Sequence, residues 1–518
     1  MNEKIKSFGG PGCGKTSTIK DFYQKKLLEG YEPEDITVLT FRKNAANDLI
    51  DAIISYTNLD EKELKKHVGT IHSICYRLIG HPEIMSSEDY RVFVDLHNYS
   101  KYLKNPVTSR QTDSEESVYS GDLFDLYTWL RNTCTPSEKW KKYPGVKNIK
   151  LPASKVPEFF KKYEEYKKQI DKIDFSDMLQ IIIDEHIRLD TPILMVDEFQ
   201  DFTSQMYEIF KIWVPSCESV LIAADPNQSI YEFWGGCTDY YYDFDAVEII
   251  RPETFRLTEQ IKNFSHKILK YAGMTAPETK ARKTDSNSIF KVRYDSKLPV
   301  YDEEFHLIRC NYQAHAIALS LAKDGKVFSG LCGWKDEEMD AANAIISIRQ
   351  GNAIPFPQMK AIVDLFPAKI LGIKGSKTDF ITGVEKTYTP QLQTGTGVLN
   401  AKILDILNSG DPTKGMLRDG VLFRAKINGI KNRKDPITLK EVKNRTVLTI
   451  HGAKGLEADA VFLHTAITPR IQKSLLIPGK ESQAEARVWY VGVTRPKKVL
   501  FLVTDAGKNY TLPGVPSC

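Results

Sequence analysis

Near its start the chain reads "SFGGPGCGKTSTI", Ser7 to Ile19, and Gly9, Gly14, Lys15 and Thr16 complete the spacing G-x-x-x-x-G-K-[ST]. In that pattern small residues let backbone N–H groups wrap phosphate oxygens, and the helix that begins near the lysine offers its positive end. Gly9, Gly10, Pro11, Gly12, Cys13, Gly14, Lys15, Thr16 and Ser17 are therefore expected to line a site for the phosphates of a nucleoside triphosphate, with Lys15 at the β and γ phosphates and Thr16 at Mg²⁺. A glycine-rich turn without chemistry is the plain alternative. A second block, "TPILMVDEFQD", reads as a buried apolar strand, Ile193 to Val196, that delivers Asp197 and Glu198 at its carboxyl end, where open α/β sheets bind ligands. Asp197 can hold Mg²⁺, and Glu198 can orient and deprotonate an attacking water. Acidic pairs after strands are commonplace; together with the loop, this one favours hydrolysis over transfer to a small substrate.

These residues need a layered scaffold to bring them together. "KIKSF" ahead of the loop reads as a strand, and "TSTIKDFYQKKLLEG" behind it as an amphipathic helix closed by glycine. Further strand-like runs, "DITVLTF", "PILMVDE", "SVLIAAD", "EFHLIRC", "DAVFLHT" and "KVLFLVT", alternate with helical segments, as in βα architecture. With 518 residues, 42% hydrophobic and 27% charged, the chain exceeds one ordinary core and should hold two or more domains. No apolar run approaches bilayer length, and the early phosphate loop leaves no room for a secretory leader, so an intracellular protein without a membrane partner is expected. The eight cysteines are scattered without a C-x-x-C pair, which supports neither a zinc site nor a disulfide framework. Net charge is only +4, but between Lys139 and Lys172 eleven lysines accompany four acidic residues and several aromatics. That run is either a phosphate-neutralising surface or a solvated helix.

The ordered blocks "GGPGCGKT", "VLTFRKNAAND", "GTIHS", "DEFQD", "AADPNQSIYEFWGG", "PETFRLTEQI", "TIHGAKGLEADAVF" and "RVWYVGVTRP" resemble the superfamily 1 helicases of the UvrD/Rep/PcrA type. The resemblance implies an α/β fold of two RecA-like parallel-sheet domains in tandem, each with an inserted accessory subdomain. On that pattern the first domain takes residues 1–80 and 171–256 around an insertion at 81–170. The second takes 257–349 and 444–518 around a shortened insertion at 350–443, for which no fold is expected from the sequence. The resemblance further implies that Gln228 senses the γ-phosphate beside Asp225, that Arg256 and Arg495 approach it, and that Glu457 contacts the ribose or couples the sites, in a turn shaped by Lys454 and Gly455. Phe41, Tyr231 and Phe233 match positions where bases stack, with Arg42 and Trp234 beside them; Thr70, His72 and His451 match strand-contacting or coupling positions. Core aromatics and ordinary structural histidines are the alternatives. The expected activity is an ATP-hydrolysing DNA helicase, 3′ to 5′, acting on single-stranded and duplex DNA, with RNA left open.

Two departures from the family pattern carry expectations of their own. Only eight residues precede Gly9, so no upstream glutamine is at hand to read the adenine edge, and Phe255 stands where a tyrosine stacks on adenine. Relaxed nucleotide choice is expected. In "EFWGG" the family's tryptophan and arginine become Phe233 and Trp234, so weaker stimulation of ATPase by single strands is expected. A translocase without efficient unwinding and an ATP-controlled binding switch are the rival readings, and with only a short tail after "VGVTRPKKVLFLVTDAG" a fused nuclease is not expected.

Overall fold

The computed structural model describes residues 3–504 other than 42, 56, 58, 104–107, 112–116, 121, 284–287, 294–298, 386–398, 400 and 418–419. The chain divides into two compact units, Met1–Asp285 with Ser474–Tyr490, and Ser286–Lys473 with Val491–Cys518. No helix among the described residues is long and apolar enough to cross a membrane.

The strands of the first unit are β1 (Glu3–Gly9), β2 (Ile36–Thr40), β3 (Val68–Thr70), a hairpin of β4 (Thr108–Gln111) and β5 (Ser117–Ser120), then β6 (Ile193–Val196), β7 (Ser219–Ala224), β8 (Val247–Arg251) and the pair β9 (Glu253–Thr258) and β10 (Lys280–Arg282). Six of them form one parallel sheet in the order β3-β2-β6-β7-β1-β8. β6 and β7 are buried at every residue, because helices cover both faces. Side chains alternate across the pleat: Ile193 and Met195 pack with Ile19, Phe22 and Leu49 on one face, Leu194 and Val196 with Leu179, Ile209 and Trp213 on the other. Since the strands are parallel, the segments that follow β3, β2, β6, β7 and β1 all leave from one edge.

Residues between Met85 and Tyr166 form a separate aromatic cluster in which Phe93, Phe124, Phe159 and Tyr163 meet edge to face. Part of the lysine-rich run is structural. Lys167 is buried and donates to Asp174 at 3.0 Å and Asp177 at 2.6 Å, and Arg131 donates to Asp177 at 2.9 Å. Lys139, Lys141, Lys142, Lys147, Lys150 and Lys155 stay exposed.

The second unit repeats the architecture with β11 (Ile289–Arg293), β12 (Glu304–Ile308), β13 (Ser329–Gly330), β14 (Arg445–Thr449), β15 (Ala458–His464) and β16 (Pro496–Thr504), parallel in the order β11-β16-β15-β12-β14-β13. The sheet registers as a buried α/β core like the first, so tandem RecA-like sheets are what the strand runs specify. Within 350–443 the regular elements among the described residues are helices, among them Phe356–Leu365, Ala401–Asn408 and Val421–Gly429. Met359, Ile362, Leu407, Phe423 and Ile427 share one core with Ile308, Leu321 and Val447, so this segment is a layer on the second sheet.

The division between units departs from the motif-based boundaries in two places. β9 and the helix Glu259–Tyr271 stay with the first unit, past Arg256, because Thr254 Oγ1 donates to Pro11 O at 2.7 Å and Phe255 N to Gly12 O at 2.9 Å. Ser474–Tyr490 also joins the first unit, where Arg487 pairs with Glu232.

The second sheet buries two imidazoles. His306 stacks on Phe462 at 4.7 Å, and its ring lies 5.8 Å from that of His464. Burial pushes His464 down to about 3; His306 falls well below its ordinary value through burial, then through His464 and Arg445. Both are neutral when folded at neutral pH, whereas unfolded histidines take up protons near pH 6.5. Stability is therefore fully present above about pH 6.5 and declines as pH falls toward 3. At pH 5 a histidine shifted as far as His464 costs about 2 kcal/mol. Urea unfolding followed at pH 7.5, 6 and 5 should show a falling midpoint, and His464→Phe should reduce the dependence; identical profiles would refute the assignment.

Candidate nucleotide site and aromatic surface

Phosphate binding requires a loop whose amides point inward, and the sequence builds it from glycine. Gly12 and Gly14 hold φ of +72° and +78°, and Gly14 caps the helix Lys15–Leu28, where left-handed backbone favours glycine. A Cβ on Gly12 would lie 2.5 Å from Arg256 Cβ and 2.9 Å from Thr254 Oγ1, so the β9 segment closes directly on the loop. Gly10 is looser: its nearest neighbours would be 3.6–3.7 Å away, Tyr490 Oη among them. Lys15 is 9% exposed and donates to Gly9 O at 2.9 Å. Cys13 is buried and burial pushes its thiol up to about 11, so it stays protonated at neutral pH.

Thr16 Oγ1 donates to Asp197 Oδ2 at 3.2 Å, which brings the loop and the acidic strand end together. Burial, then the Glu198 carboxylate, pushes Asp197 up to about 6 against the pull of Lys15. A hydroxyl and a carboxylate at this spacing are hard oxygen donors, and a carboxyl destabilised by burial and repulsion gains most from a divalent cation; the set fits Mg²⁺. Among the described residues no cluster of three or more His, Cys, Asp or Glu could hold a metal, so the remaining ligands would be phosphate and water.

Glu198 adopts φ of +53°, a conformation a non-glycine residue keeps only when its surroundings fix it. Gln200, buried completely, is part of that fixing: its Nε2 donates to Glu198 Oε2 while its Oε1 accepts from Asp225 N at 3.0 Å. Sequence reasoning did not single out Gln200, although it lies inside the quoted "DEFQD". Gln228 Nε2 donates to Asp225 Oδ2 at 2.8 Å, and burial raises the Asp225 carboxyl. Asp197, Glu198, Asp225 and Gln228 thus form one connected group beside Lys15, at the ends of β6 and β7.

Along the same sheet edge the aromatic candidates line up. Phe41 stacks on Tyr231 with ring centroids 5.1 Å apart, Tyr231 meets Phe233 at 6.3 Å, and Phe233 meets Trp234 at 6.0 Å. Phe233 is 51% exposed, so the row is open to solvent. Asn132 Nδ2 donates to Trp234 O at 2.9 Å from the neighbouring helix Asp122–Asn132. Thr70 caps the helix Ile71–Leu78 by accepting from Ser73 N, and His72 packs edge-on against Phe175. Arg42 lies outside the described residues. Phe255 is 74% exposed and attached to the loop through its N–H to Gly12.

In the second unit Arg495 is 2% exposed and donates to Val491 O at 2.9 Å and Leu456 O at 3.3 Å, beside Gly455 and Glu457. Lys454 is buried and Gly455 takes φ of +77°. His451 is pushed down to about 3 by burial, then by Arg309 and Lys454.

A phosphate loop joined through its threonine to an acidic strand end, in a parallel sheet, defines a P-loop nucleoside triphosphatase. Residues 1–247 match the UvrD/REP helicase N-terminal domain and residues 425–506 the UvrD-like helicase C-terminal domain. The chain belongs to the UvrD/Rep/PcrA-type superfamily 1 helicases, a family of ATP-hydrolysing enzymes. Among its relatives, a protein named "Probable DNA helicase II homolog" from Mycoplasma pneumoniae is 23% identical, the match covering 96% of this chain and 81% of that one. "ATP-dependent DNA helicase Rep" of Buchnera aphidicola is 24% identical over 95% of this chain and 91% of its own. "ATP-dependent DNA helicase PcrA" of Staphylococcus epidermidis is 22% identical over 58% and 42%.

The glycines give a direct check of the loop. Gly12→Ala combines left-handed strain with the Arg256 contact and should cost about 1–3 kcal/mol of stability. Gly10→Ala should keep its melting midpoint. Thermal unfolding of the two variants distinguishes them, and equal midpoints would show that β9 does not close on the loop.

Proposed function

We propose that the protein hydrolyses ATP to move along single-stranded DNA and separate duplexes, in the 3′ to 5′ direction. The observation that carries this reading is the row Phe41, Tyr231, Phe233 on the same sheet edge as Lys15, Asp197 and Glu198. Aromatic faces accept any base, with each stack worth about 1–3 kcal/mol, which suits a motor that must hold every sequence. Exposed lysines from Lys139 to Lys155 support phosphate contact.

In this reading the loop amides and Lys15 hold the β and γ phosphates, and Glu198, steadied by Gln200, orients the attacking water and takes its proton. Gln228 sits against the transferred phosphate, and Arg256 supplies guanidinium charge to it. Mg²⁺, held by Thr16 and Asp197, would neutralise phosphate charge. Phe255 offers an aromatic face with no hydrogen-bonding group, which supports stacking without base reading and hence relaxed nucleotide choice. Trp234 brings no guanidinium to the strand side, which supports modest strand stimulation.

ATP turnover with and without single-stranded DNA or RNA, at two salt concentrations and with Lys15→Ala as the blank, tests the reading. Stimulation by DNA that fades with salt is expected. Turnover indifferent to both polymers would overturn the motor. Phe41→Ala or Tyr231→Ala should weaken strand affinity by about 1–3 kcal/mol, measured by anisotropy of a labelled oligonucleotide. Displacement on duplexes with a 3′ or a 5′ tail decides polarity.

A further inference from the structure

Glu232 lies between Tyr231 and Phe233, inside the aromatic row, in a tight turn closed by Trp234 N to Tyr231 O at 2.9 Å and Gly235 N to Glu232 O at 3.0 Å. A single acidic residue among stacking aromatics is out of place on a surface meant for a polyanion. Its carboxylate is turned away from that use: Arg487 Nη1 donates to Glu232 Oε1, with 13% of the arginine side chain and 35% of the glutamate side chain exposed. Lys480 and Asp239 are the other charges that act on Glu232.

Arg487 belongs to the helix Lys480–Val493. Three residues on, and so on the same helix face, Tyr490 presents its hydroxyl 3.7 Å from where a Cβ on Gly10 would sit. One face of one helix therefore meets the aromatic turn at Glu232 and faces the phosphate loop at Gly10. The opposite side is fixed by Trp489, fully buried, whose Nε1 donates to Glu485 at 2.9 Å. The helix runs on to Val493, two residues before Arg495. Trp234, next in the aromatic row, carries no charge that could make this link, so the guanidinium comes from the helix.

We infer that Glu232 and Arg487 are positioning residues that couple the aromatic strand surface to the phosphate loop, the pair transmitting a shift of the Tyr231–Phe233 turn to the helix that faces Gly10. Neither side chain touches the reacting atoms. The inference rests on the strand-coupled reading above and adds the route by which the strand acts. A base entering the aromatic row moves the turn; the partly buried ion pair, whose Arg487 side chain is only 13% exposed and would lose its charge partner if the two separated, moves the helix with it.

The experiment compares the parent chain with Glu232→Gln, Arg487→Gln and the charge-reversed double variant Glu232→Arg with Arg487→Glu. Strand-free ATP turnover, maximal turnover with oligo(dT), the oligo(dT) concentration at half stimulation, and the melting midpoint are read for each. The single variants should keep strand-free turnover within about twofold and lose at least about fivefold of the stimulation. The reversed pair should recover more than half of it, which a merely structural role would not do. Single variants stimulated like the parent would overturn the coupling while leaving the motor intact. Singles that lose strand-free turnover and melting temperature together, without recovery in the reversed pair, would reduce Glu232 and Arg487 to a fold contact. A parent chain indifferent to oligo(dT) would overturn the motor reading, and this inference with it.

Discussion

A parallel sheet delivers the carboxyl ends of all its strands to one edge, and the first unit depends on that constraint. β1 ends in the phosphate loop, β6 in Asp197 and Glu198, β7 in Asp225, and β2 leads into Phe41. Backbone register alone brings a loop near residue 10 and carboxylates near residue 200 to within a hydrogen bond, as Thr16 and Asp197 show. The helices that cover the sheet hold the edge rigid, because β6 and β7 are buried at every position and cannot shift by one residue without turning apolar side chains into the wrong core.

Chemistry then works against stability in a small space. Asp197, Glu198 and Asp225 share a buried neighbourhood with one lysine, and burial raises Asp197 to about 6. Glu198 keeps a left-handed backbone. The surroundings meet these costs through hydrogen bonds: Gln200 bridges Glu198 and Asp225, and Gln228 donates to Asp225. Such concentrations of strain and misplaced charge are where proteins carry function.

Much of this was legible in the sequence. The apolar runs that became β2, β6, β7, β12, β15 and β16 are buried stretches bounded by turn residues, and such runs announce themselves. β8 did not, since "VEIIR" is exposed at every residue on the sheet edge and lacks the alternation of a half-buried strand. β13, two residues long, carries no periodic signal at all. The helical layer within 350–443 was missed because glycine and threonine mask a period that tertiary packing overrides. In the site, the loop and the acidic pair were readable because spacing encodes them. Gln200 was hidden by its neighbours, and the pairing of Glu232 with Arg487 joins residues 255 positions apart, a distance across which local pattern says nothing.

The buried charges around Lys167 settle how the inserted aromatic subdomain can behave. Lys167 and Arg131 come from that subdomain, and Asp174 and Asp177 are the cap and a first-turn residue of the helix Phe175–Asp184 of the first unit's core. Separating them would strand ions away from water at a cost of about 3–5 kcal/mol. The subdomain is thus bolted to the sheet at its root. The six exposed lysines from Lys139 to Lys155 belong to a subdomain whose root is tied to the core by charge, so their backbone positions relative to that core depend on Lys167 and Arg131 keeping their partners.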